Sequence, residues 1–167
     1  MTSEIVGVIV GAAITLLVTR ITRRSEERRW YLDTLLKAKI ESLQILYANL
    51  NHCFFTLNER LNYWPSTYDQ FNTDVLPAIL AFNRADQLAT VYLDHDSEEV
   101  LRRMRAQIGL ARDAIKQSLD AHLAGQTNFS GSSQFDWKSF NSAFDEMRSR
   151  FKELLNPGSL RRFENLM

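Results

Sequence analysis

The sequence has one cysteine, Cys53, three prolines and six glycines. A lone cysteine excludes an intrachain disulfide framework and suits a reducing compartment. With so few turn formers the chain is sparsely punctuated, which favours long helices over many short strands. No stretch alternates apolar and polar residues for long enough to read as a strand. An excess of charge is also missing: 20 Lys+Arg balance 20 Asp+Glu. General nucleic-acid binding needs a basic surplus to neutralise phosphates, so nucleic acid is not an expected partner. Catalytic motifs are absent as well. There is no phosphate-cradling glycine loop, no Gly-x-Ser-x-Gly elbow, no Cys-x-x-Cys and no Glu-x-x-His. The sequence therefore predicts no enzyme activity, no metal and no cofactor.

What the chain does have is one uncharged apolar run at its start. Residues 5–19 (IVGVIVGAAITLLVT) carry no charge, Arg20 interrupts, and Ile21 and Thr22 follow. Taken as 5–22, this is about 27 Å of helix at ~1.5 Å per residue, close to the thickness of a bilayer core. A cleaved leader needs positive charge before the run, whereas here Glu4 precedes it and the arginines come after. The reading is a transmembrane helix with residues 1–4 outside. Arg20, Arg23, Arg24, Arg28 and Arg29 crowd its C-terminal end, which places the rest of the chain in the cytoplasm by the positive-inside rule. The same arginines can meet lipid headgroups. Ser3, Gly7, Gly11, Thr15 and Thr19 recur every fourth residue. Gly7, Gly11 and Thr15 form the small face by which membrane helices approach closely, so a homo-oligomer is expected.

Beyond a basic helical stalk at 23–35, the apolar residues fall three and four apart. Leu36, Ile40, Leu43, Tyr47, Leu50, Phe54, Leu57, Leu61 and Trp64 trace the seam of a bundle or coiled coil, widened by Leu46 and Cys53. Pro65 ends this helix. A second helix is expected at 73–93 with Pro77 in its first turn, or from near Ser66 with a bend at Pro77, and Val75, Ile79, Phe82, Leu88, Val91 and Tyr92 are its apolar members. A third, 97–124, opens on an Asp96-x-x-Glu99 capping box and carries Leu101, Met104, Ile108, Ala111, Ile115, Leu119 and Leu123 before stopping at Gly125. The fourth, 134–156, carries Trp137, Phe140, Phe144, Met147, Phe151 and Leu154. The expected fold is all-α: one transmembrane helix running into a cytoplasmic up-down-up-down four-helix bundle at 36–156, with a tail at 157–167.

Two connections of that bundle are poor in charge and rich in rings. Tyr63, Trp64, Tyr68 and Phe71 lie in the first, Phe129 and Phe135 in the second. Interfaces favour such aromatics, and Tyr63, Trp64, Tyr68, Phe71 and Phe129 are a candidate partner-binding tip; the bland alternative is that they cap the core. The acids of Asp94-His95-Asp96-Ser97-Glu98-Glu99 suit a helix start better than a metal site. His122, near Asp120, suits a helix end, and Cys53 reads as a buried inert thiol. The composite expectation is a membrane-tethered interaction module that holds a cytoplasmic protein partner, or its own copies, at the lipid surface. The alternative is an effector whose oligomerised membrane helices perturb the bilayer.

Overall fold

A computed structural model describes residues 2–62, 67–125 and 135–156, without the side chains of 2–17 and 21. All the described elements are helical. Helix α1 is Thr2–Asn62. A short α2, Tyr68–Gln70, leads through a π-helical turn, Phe71–Val75, into α3, Leu76–Ala89, which closes with a 3-10 turn at Thr90–Tyr92. Then follow α4, His95–Leu123, and α5, Trp137–Leu154. The chain divides into two units, Met1–Ala38 and Lys39–Met167. The first consists of α1 alone in the described residues; the second holds the core.

In the second unit four helical rods enclose one apolar core. From α1 come Leu43, Leu46, Leu50, Cys53, Phe54, Leu57 and Leu61. Helix α4 gives Val100, Leu101, Met104, Ile108, Ala111, Ile115 and Leu119, and α5 gives Phe140, Ala143, Phe144, Met147 and Phe151. Phe54 sits at the centre of the aromatic packing. Its ring stacks on Phe144 at 3.7 Å and on Phe140 at 4.8 Å between centroids. Tyr47 meets Phe151 at 5.2 Å. As α1 ascends from 47 to 54 its partners descend from 151 to 140, so α1 and α5 run antiparallel. Ion pairs join neighbouring rods as well: Arg60 with Asp74, Arg105 with Asp86, Arg103 with Glu146.

Several expectations need correction. Of the two starts expected for the second rod, the earlier one holds and 73 is corrected: the rod begins at Tyr68, capped by Thr67, whose hydroxyl accepts from Gln70 N–H while the Gln70 side chain accepts from Thr67 N–H. The π turn precedes Pro77 for a physical reason. A proline ring collides with the carbonyl four residues earlier, here Thr73, and a widened turn gives it room. Leu88 and Val91 are not core members: they are 66% and 77% exposed, and Ala78, Ala85 and Ala89 face the core in their place. The third rod starts earlier than expected. Its cap is Asp94, in extended conformation, whose carboxylate accepts from Ser97 N–H at 2.8 Å, so Asp96 lies inside the first turn. Leu123, one turn past Leu119, is 72% exposed. Gly125 ends that rod with φ +77°, a conformation that a Cβ makes costly. The fourth rod begins at Trp137, capped by Asp136, rather than at 134. Upstream on α1, Leu36 and Ile40 are half-buried, and the fully buried line starts at Leu43. Trp64 lies outside the described residues.

Among the described residues no helix is long and apolar enough to cross a membrane. The 5–22 run falls largely outside them: its backbone is helical, but of its side chains only Val18, Thr19, Arg20 and Thr22 are described.

Candidate functional site

The arginine segment is the first candidate. Arg20, Arg23, Arg24, Arg28 and Arg29 are all exposed on α1. Among the described residues Arg23 alone of these is paired, its Nε 3.1 Å from Glu27 Oε1. Trp30 and Tyr31 follow directly and are 69% and 57% exposed. Apolar periodicity passes over both rings, because they sit between the polar stalk and the core seam. Their signal is nonetheless present, since Trp and Tyr beside arginine is the composition of a membrane–water interface. Gly7, Gly11 and Thr15 lie outside the described side chains.

The ring-rich tip divides. Phe71 is buried in the core, so it is structural rather than an offered contact. Tyr68 is half-buried against that core, and its hydroxyl donates to Asp120 on α4. That bond holds the phenol above its usual range, because ionising the ring would put two anions together. Phe135 packs edge-on against Trp137 and Phe140. The described rings thus hold the rod ends to the core. Tyr63, Trp64 and Phe129 lie outside the described residues.

A cleft of about 470 Å³ opens between α4 and α5. It exists because Ala106 on one rod faces Ser139, Ser142 and Ala143 on the other, leaving a furrow between small side chains. Arg103 and Glu146 span it with an ion pair of 2.8 Å. Lys138 and Gln107 complete the wall. Its one acid is tied to Arg103, and of its two hydroxyls Ser139 donates to Asp136, the cap of α5.

The remaining candidates have structural work. Asp94 caps α4, and Ser97, whose N–H donates to it, holds its carboxyl below the usual range against the opposing effect of partial burial. Glu99 is gripped by Arg102 at 2.7 and 3.0 Å, which lowers its carboxyl too. Cys53 is buried, and burial pushes its thiol up to about 12, far from the thiolate a nucleophile needs. His122 lies in the last turn of α4, where a cation is favourable. Among the described residues no group of three or more His, Cys, Asp or Glu side chains could hold a metal ion. The chain matches no known protein family, and no curated protein and no solved structure is similar to it.

Proposed function

We propose that the chain is a membrane-tethered helical module, anchored by residues 5–22, whose bundle holds a cytoplasmic protein partner or a second copy at the lipid surface. One observation carries this reading: the unit Met1–Ala38 is a single helix with no other described element in it. A solitary helix gains little from its own hydrogen bonds in water and needs packing from elsewhere. The uncharged run 5–19 finds that packing in hydrocarbon, where helical backbone groups are already satisfied. The arginines after Thr19 set the direction of insertion, and the small face of Gly7, Gly11 and Thr15 supports pairing of copies within the bilayer. The bundle supplies a body with its own core, which is what a tethered adaptor requires.

Fractionation tests the proposal. The full chain is expected to stay with membranes through an alkaline wash, and a chain lacking residues 2–22 to stay in the aqueous phase. A reporter active only in the cytoplasm, fused after Met167, is expected to be active. Recovery of the full chain in the wash rejects the tether. A silent reporter, with activity instead from one that needs the opposite compartment, rejects the topology.

A further inference from the structure

Helical geometry sorts the charges after residue 19 by face. At about 100° per residue, Arg20, Arg24 and Arg28 fall within an arc of about 80°, with Tyr31 between the first two. Arg23 and Trp30 lie on one margin of that arc, within about 80° of Arg20, and Glu27, the partner of Arg23, falls between Arg23 and Arg20, so this side carries four arginines and one acid. Glu26, Arg29 and Asp33 occupy the opposite side, about 140–180° from the arc's centre. The segment therefore has a cationic, ring-bearing face and a face where acids outnumber the one arginine. All these side chains are exposed.

Orientation in a membrane does not require such sorting. The positive-inside rule counts Lys and Arg near the span whatever side of the helix they occupy. Nor does it require arginine, yet every basic residue from 20 to 31 is arginine. The guanidinium fork binds phosphate oxygens two at a time, which lysine cannot do. Two large rings left exposed beside that fork gain nothing from water, whereas Trp and Tyr are at home at headgroup depth. Charge, donor geometry and ring placement converge on a phosphate-bearing lipid surface.

We propose that the face of α1 carrying Arg20, Arg24, Arg28 and Tyr31 docks on the headgroups of anionic phospholipids, with Arg23 and Trp30 at its edge. This rests on the membrane tether proposed above. Arg20 to Tyr31 spans about 16 Å along the helix axis, so a helix leaving the bilayer upright carries Arg28 and Tyr31 clear of the surface. A one-sided face keeps them in contact only where the helix leans toward the lipid. Anionic lipid then sets the lean of the juxtamembrane segment, and its effect weakens with salt.

The test uses the full chain reconstituted into vesicles of phosphatidylcholine alone, or with about 30% phosphatidylglycerol. Each arginine is modified with an arginine-specific dicarbonyl, and rates are read by peptide mass spectrometry. Arg29, on the far face, serves as the internal reference. Anionic vesicles are expected to slow modification of Arg24 and Arg28 by about threefold or more relative to Arg29, and about 0.5 M salt to remove the difference. Equal protection of Arg24, Arg28 and Arg29 overturns the face. Protection of Arg24 and Arg28 by a soluble polyanion such as polyglutamate, but not by anionic vesicles, overturns the lipid as occupant. Retention after an alkaline wash separates the two claims. A chain retained on neutral vesicles without face-selective protection on anionic ones refutes this inference alone, whereas a chain lost from them refutes the tether and this inference with it.

Discussion

Helix α1 contains two stretches with one backbone conformation and opposite reasons for it. From Leu43 to Leu61 its side chains disappear into a core: Leu43, Leu46, Leu50, Cys53 and Leu57 are fully buried. Upstream, from Thr22 to Tyr31, every side chain is exposed. Tertiary packing holds the first stretch helical. The second has local devices, the Arg23–Glu27 pair among them, and such i, i+4 pairs contribute only about 0.3–0.5 kcal/mol each. Helix in a chain is thus no guide to what stabilises it. The difference is also functional: a stretch that buries no side chain in a core leaves most of them exposed to a partner.

The largest expected effect breaks the packed stretch. Phe140 is fully buried and stacks on Phe54. Phe140→Ala is expected to cost about 3–5 kcal/mol, from lost burial and the cavity left behind. Denaturant unfolding measures it. A midpoint within error of the parent chain removes Phe140 from the core and with it the contrast between the two stretches.

Much of this core is legible in the sequence, because large apolar residues three and four apart can only face one way on a helix. Leu50, Leu57, Met104, Ile115, Phe140 and Phe151 are all readable so. What periodicity misses is which face of α3 turns inward. Leu88 reads as core by its chemistry, yet Ala85 and Ala89 hold the inward positions. The sequence points to Asp96 as the cap of α4, since two aspartates lie two apart and only backbone geometry chooses Asp94. Asp86 escapes a reading by apolar pattern; an acid four residues after Phe82, on the same face, is the available signal. The candidate site is legible in part. The arginines stand out in the sequence, but their sorting by face and the exposure of Trp30 and Tyr31 need the helix to be drawn.

Asp86 sharpens the comparison within the bundle. Its carboxylate is 9% exposed and takes two hydrogen bonds from Arg105, at 2.6 and 2.7 Å, whereas Arg23–Glu27 is 80% and 65% exposed. Asp86→Ala is expected to cost about 2 kcal/mol, held down by water reaching the partly exposed guanidinium. Glu27→Ala is expected to change the unfolding midpoint of the bundle not at all. Equal effects from the two substitutions would show that burial does not separate them.

The cap of α4 gives a smaller effect with a pH signature. Asp94→Ala is expected to cost about 1 kcal/mol at neutral pH, as N-caps do. The Asp94 carboxyl sits below its usual range because Ser97 donates to the ionised form. A depressed folded value means that the stabilisation is complete above the unfolded pKa, near ~3.9, and is lost as pH falls through the folded one. The gap between parent and variant is expected to hold from about pH 7 to about pH 5 and to narrow as pH falls further. A gap that persists unchanged at about pH 2 would show that the cap does not depend on the carboxylate charge.

The smallest expected effect on stability belongs to Trp30 and Tyr31, and its smallness is the point. Both are large rings, and a buried ring of that size contributes several kcal/mol to a core. Here neither appears among the residues packed on the core, and both are more than half exposed. Trp30→Ser with Tyr31→Ser is therefore expected to leave the unfolding midpoint of the bundle within about 0.5 kcal/mol of the parent. The same double substitution is expected to loosen the segment from anionic vesicles, read as faster dicarbonyl modification of Arg28. A melting temperature that falls as far as it does for Phe140→Ala would place these rings in the fold. Stability and modification rate both unchanged would leave the rings without a task at the lipid surface and return the arginine face to charge alone.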